Sequence, residues 1–115
     1  MKKAYHLAQC NTCQRILKEV NWQETTQNIR EEKITEHQID EMAKLAGSYE
    51  ALFSRRAIKY KSMGLKDKAL SDQDYKLLIL GEDTILKRPV VIVGNLIFIG
   101  NSKHTIEQLK TALSE

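Results

Sequence analysis

Apolar and polar positions change period several times along the chain, and each change marks an element. Ala4-Tyr5-His6-Leu7 is a short apolar run with the length of a strand. Beyond it Cys13, Ile16, Leu17 and Val20 recur at i, i+3, i+4 and i+7, which predicts a helix starting at or just after Cys10 with that face buried. The chain turns near Asn21-Trp22, with Trp22 a packing residue at the helix end, and Thr25 to Ile29 reads as a second strand. Arg30-Glu31-Glu32-Lys33 is a solvated connection. Thr35 and Gln38 then form a capping box, and Ile39, Met42, Ala43 and Ala46 supply one apolar face before Gly47 closes the helix. Ser48 can cap a short turn that buries Leu52 and Phe53.

Residues 54–65 carry only a weak helical stripe, Ala57, Tyr60 and Met63, among many cations. Ser71 with Asp74 opens a further helix, stapled by Leu70 and Tyr75, whose buried face is Tyr75, Leu78 and Ile79. Leu86 to Val93 ends in an all-apolar tetrad, the mark of a fully buried strand, and Gly94-Asn95 turns it back into Leu96-Ile97-Phe98-Ile99 as a hairpin. Gly100-Asn101-Ser102 leads into a last helix that buries Ile106, Leu109 and Leu113, with Ser102 as its cap. The order is strand, helix, strand, several helices, hairpin, helix: an α/β chain.

Composition narrows this picture. A length of 115 residues suits one domain with a single core, and with no repeat or Gly/Ser/Pro-rich linker, 1–115 is expected to be a single domain. No apolar run approaches the ~20 residues of a membrane span, and Met1-Lys2-Lys3 leads into no signal-peptide core, so a cytoplasmic location is expected. In that compartment the two cysteines would rest as thiols rather than as a structural disulfide. A formal charge of +3 is too mild to imply direct nucleic-acid binding.

The chemistry concentrates in Cys10-Asn11-Thr12-Cys13. A cysteine at the start of a helix meets unpaired N–H groups and the positive end of the dipole, which favour the thiolate. Cys13, one turn deeper, can resolve a disulfide on Cys10. The division of labour follows: Cys10 attacks and Cys13 resolves. Inert core cysteines are the plainer alternative. Half of a zinc site is another, but His6, His37 and His104 are scattered and no further cysteine exists, so no metal is expected. Arg55 and Arg56 differ in kind from the lysines around them, because paired guanidiniums can hold an oxyanion or a carboxylate in fixed geometry.

A CxxC after the first strand with a proline opening the third is the thioredoxin-like arrangement, here with a helical insertion at roughly 35–85, between the second and third strands. Over nearly its whole length the chain resembles the arsenate reductase-related family, ArsC with its Spx-type and YffB-type relatives. The resemblance rests on His6 spaced before Cys10, the CxxC itself, Asn28-Ile29-Arg30-Glu31-Glu32 leading to Thr35, Leu52-Phe53-Ser54-Arg55-Arg56 followed by Tyr60 and Gly64-Leu65, and Lys87-Arg88-Pro89-Val90-Val91. It implies a nucleophilic Cys10 supported by His6, a cis Pro89 beside it, and a catalytic Arg88 that neutralises developing charge. Asn11, Thr12, Arg55, Arg56 and Pro89 are implied as substrate-binding residues.

The chain departs from the family's arsenate reductases where their other arginines stand, carrying Gln14, Ser54 and Asn101 instead. Cys13 is shared with the Spx-type relatives. Two functions are therefore implied. One is a thiol reductase acting on a small oxyanion or a disulfide, with no bound cofactor and with glutathione or glutaredoxin as reductant. The other is a redox switch whose CxxC controls a surface for RNA polymerase.

Overall fold

The computed structural model describes residues 1–115, and the chain divides into two compact units. One contains Met1–Lys33 with Arg88–Glu115, and the other is Ile34–Lys87.

In the first unit β1 (Lys2–His6), α1 (Asn11–Glu19), β2 (Thr25–Asn28), β3 (Val90–Val93), β4 (Leu96–Ile99) and α5 (Lys103–Leu113, numbered after α2 to α4 of the second unit) build a four-stranded sheet in the order β2-β1-β3-β4. β1 runs parallel to β2, joined through α1, whereas β3 is antiparallel to both β1 and β4. The register sets Ala4 opposite Thr26 and Val91, and Val91 opposite Phe98. Because strand side chains alternate, Ala4, Val91 and Phe98 make one row. Leu109 of α5 joins that buried row, and Leu17, Val20, Trp22 and Leu113 close over it half-buried. Trp22 thus packs at the end of α1 as its position foretold. The turn between β3 and β4 needs a left-handed first residue, and Gly94 supplies it at φ 62°. Three strand boundaries differ from the sequence reading: β1 starts at Lys2 and ends before Leu7, and β2 ends before Ile29, with Leu7 and Ile29 both buried.

The second unit holds α2 (Glu36–Ala46), α3 (Ile58–Ser62) and α4 (Asp72–Gly81), with short 3-10 turns at Glu50–Leu52, Leu65–Asp67 and Asp83–Ile85. Both expected capping boxes form, Thr35 with Gln38 and Ser71 with Asp74, so each helix begins where its side chains can satisfy the first free N–H groups. Phe53 is the centre of this unit. It is fully buried, with Tyr75 edge-on at 4.9 Å and Tyr60 at 5.8 Å between ring centroids. The backbone around it pairs with the stretch before β3: Ser54 N–H donates to Ile85 O (2.6 Å) and Lys87 N–H to Leu52 O (2.8 Å).

Two expectations for this unit are corrected. Of the stripe Ala57, Tyr60 and Met63, the first two are half-buried and Met63 is exposed, because α3 is a single five-residue turn with no buried residue. In α4 the buried residues are Tyr75, Lys76 and Ile79, with Leu78 only half-buried. Lys76 is admitted to that face because its Nζ meets Glu36 (2.8 Å) and Asp40 (2.9 Å), and Asp40 in turn accepts the Tyr49 hydroxyl proton (2.6 Å). A buried ammonium is tolerable only with such partners.

Candidate functional site

The turn between β1 and α1 is held from several sides. Ile29 N–H donates to His6 O (2.9 Å) and Ala8 N–H to Asn28 Oδ1 (3.2 Å), tying the turn to the end of β2. Cys10 N–H donates to Leu7 O (3.0 Å), and the Gln14 amide reaches back to Ala8 O (3.3 Å). These bonds leave Cys10 as the N-cap of α1, in extended conformation with φ −88° and ψ 107°.

At that position a cap side chain accepts from a first-turn N–H, a role normally filled by serine, threonine or aspartate. Here sulfur fills it: Cys13 N–H donates to Cys10 Sγ at 3.4 Å. Burial by itself would raise the Cys10 thiol. Hydrogen bonds from the Cys13 backbone and thiol, the charge of Arg88 and the Thr12 backbone together outweigh it, and the pKa falls below the ordinary thiol value. Cys13 goes the other way, pushed up to about 11. Burial is the main cause; a backbone hydrogen bond with Leu7 opposes it, and the hydrogen bond to Cys10 and the charge there reinforce it. The site therefore holds one half-buried sulfur biased towards thiolate and, one turn deeper, a buried thiol biased towards its protonated form.

Arg88 precedes β3, half-buried, and its peptide bond to Pro89 is cis. Pro89 is buried, and its carbonyl accepts from Gly100 N–H at 2.9 Å. Thr12 is half-buried and contributes through its backbone, whereas the Asn11 side chain is exposed. His6 is half-buried; burial lowers its pKa against a backbone hydrogen bond with Leu7, and its Nδ1 lies 3.5 Å from the Gln14 amide nitrogen. A neutral ring can accept from that amide, so His6 and Gln14 brace the same turn.

Arg55 and Arg56 belong to the second unit. Arg55 donates to Glu50 (2.8 Å) and to the Tyr75 hydroxyl (3.0 Å), so this guanidinium already grips a carboxylate; Arg56 is exposed. Ser54 is half-buried and Asn101 exposed. No group of three or more His, Cys, Asp or Glu side chains is placed to share a metal ion, and no helix is long and apolar enough to cross a membrane.

Asn28 enters the sequence reading only as part of a family phrase, and patterning gives it no structural role. Its place near the end of a predicted strand, where an Asx side chain readily bonds a neighbouring turn, is the physical signal for that role.

The model of the ArsC family matches residues 5–109. Among solved structures, an ArsC family related protein from Bacteroides fragilis superposes with a TM-score of 0.78 at 22% identity, covering 94% of this chain and 96% of that one. An arsenate reductase from Vibrio cholerae gives 0.78 at 17% identity over 96% of each chain. An arsenate reductase related protein from Brucella melitensis gives 0.71 at 17% identity over 93% of this chain and 92% of that one. At such identities these likenesses establish the thioredoxin-like fold. No curated protein matches the chain.

Proposed function

The chain belongs to the ArsC family, and from that premise we propose that it is a thiol-dependent reductase in which Cys10 attacks a small oxyanion or a disulfide. The observation that carries the reading is the contrast within the CxxC: the Cys10 sulfur is capped by an N–H and favoured as thiolate, while Cys13 is kept protonated beside it.

On a disulfide, the Cys10 thiolate forms a mixed disulfide and expels one thiolate. Cys13 then loses its proton, attacks Cys10 Sγ and expels the second thiolate, leaving Cys10 and Cys13 oxidised. On an oxyanion such as arsenate, Cys10 bonds to arsenic with loss of water. A second thiolate, from Cys13 or glutathione, attacks Cys10 Sγ, and the electron pair of the sulfur–arsenic bond leaves with arsenic as arsenite. Glutathione or glutaredoxin supplies the two electrons that reduce the resulting disulfide. Arg88, whose charge acts on Cys10, favours both the thiolate and an arriving anion.

A second reading is favoured by the resolving thiol standing in the same chain: an internal disulfide could switch a surface for RNA polymerase. Turnover separates the two. Reduced protein with arsenate, glutathione and glutaredoxin should release arsenite, Cys10→Ser should be silent, and Cys13→Ser should keep part of the rate. The same assay with a small mixed disulfide tests the other substrate class. No turnover of either, together with oxidation-dependent retention of RNA polymerase, overturns the reductase and leaves the switch.

A further inference from the structure

Residues 34–87 contain as many acidic as basic side chains, but the two kinds are segregated. Arg55, Arg56, Lys59, Lys61, Lys66 and Lys68 fall within a short stretch that holds one acid, Asp67. Arg55 is neutralised by Glu50, whereas the four lysines are exposed and make no ion pair. Burying α3 against the unit would ordinarily call for its aliphatic residues to point inward. Instead Ile58, which opens α3, is 83% exposed, and Met63, which closes it, is 45% exposed. Helical spacing puts Ile58 one turn from Lys61 and Lys59 one turn from Met63, so each exposed apolar side chain has a cation beside it. The platform is supported from beneath, since Tyr60 stacks edge-on against Phe53 and Leu65 is buried in the turn that follows.

We infer that residues 58–68 form a docking surface for an acidic protein segment that brings an aliphatic side chain to Ile58 or Met63. Aliphatic anchors rimmed by charge are the anatomy of a protein interface, and the unpaired lysines select and steer an acidic partner. A nucleic acid fits less well: the one aromatic ring here, Tyr60, is half-buried and packed against Phe53, so no fully exposed ring is presented for base stacking. A membrane surface fits less well too, because a five-residue helix has no extended apolar face to insert.

The test is amide chemical-shift mapping of the full chain with a synthetic glutamate-rich peptide carrying a central leucine, the same peptide with alanine in place of leucine, a single-stranded oligonucleotide, and anionic phospholipid vesicles. The leucine peptide should shift the amides of residues 58–68, and its affinity should fall as salt rises. Replacing its leucine by alanine should weaken binding about 10-fold, as should Ile58→Glu, and Lys59→Glu with Lys61→Glu should weaken it by at least ~10-fold. These positions are exposed, so retained amide dispersion shows the variants are folded. Shifts elsewhere, indifference to Ile58→Glu, or tighter binding of the oligonucleotide or the vesicles would each overturn the assignment.

Discussion

Cys10 and Lys76 show two opposite uses of a charge in this chain. At the start of α1 an ionised sulfur is favoured by an N–H and the charge of Arg88, yet it stays only half-buried. In the second unit an ammonium is taken inside, where Glu36 and Asp40 neutralise it and hold its pKa above the ordinary lysine value. The first charge is available for chemistry because its stabilising partners are donors that do not cover it. The second serves structure, because its side chain is buried and its charge is taken up by two carboxylates. Perturbed ionisation alone does not identify a reactive group; what remains open to solvent does.

The sharpest break in that contrast is Cys10→Ser. Turnover should drop by roughly 10³-fold or more, while the melting temperature, followed by circular dichroism, should move by no more than about 2 °C. Lys76→Ala should do the reverse. It removes a packed stem and the cation shared by Glu36 and Asp40, which are themselves open to solvent, and the melting temperature should fall by roughly 5 °C with the alkylation rate of Cys10 in the folded protein little changed. Lys76→Met, which keeps the packed stem, should lose less than Lys76→Ala.

A finer test is the pH profile of Cys10 alkylation by iodoacetamide. Since its pKa is lowered, the thiolate persists to lower pH than in free cysteine, and the rate should rise through an inflection below the ordinary thiol value. Arg88→Gln removes a cation that favours the thiolate, so the inflection should move up. A move of one pKa unit would slow alkylation below both inflections about tenfold. Cys13, at about 11, should stay unmodified until strongly alkaline pH. The smallest effect is at a cap: Thr35→Ala removes the side chain that accepts from Gln38 N–H and should cost about 1 kcal/mol in denaturant melts, with no change in either cysteine.

The parts legible in the chain were local ones. Both capping boxes, the hairpin at Gly94 and the placement of Cys10 at the head of α1 depend on residues within a few positions of one another, and spacing alone reveals them. What escaped was long-range. A lysine at position 76 interrupts the apolar pattern of α4, and nothing nearby in the chain says that Glu36 and Asp40, far upstream, will come to meet it. Gln27 is 2% exposed in a strand of four polar residues, where alternation had no apolar signal to offer; its amide donates to Glu32 O at 2.9 Å. The stripe through Met63 keeps helical spacing over a stretch in which only one helical turn forms.

Sequence by itself therefore determined which residues could begin and end each element, and that a thiol pair would sit across the first turn of a helix, because those outcomes follow from backbone sterics and hydrogen bonding within a few residues. Only the tertiary structure decided that Arg88 acts on Cys10, that Asn28 pins the turn before it, and that Lys76 goes inside. Charge and burial depend on distances between parts of the chain far apart in order, and those distances exist only once the sheet and the helices have packed.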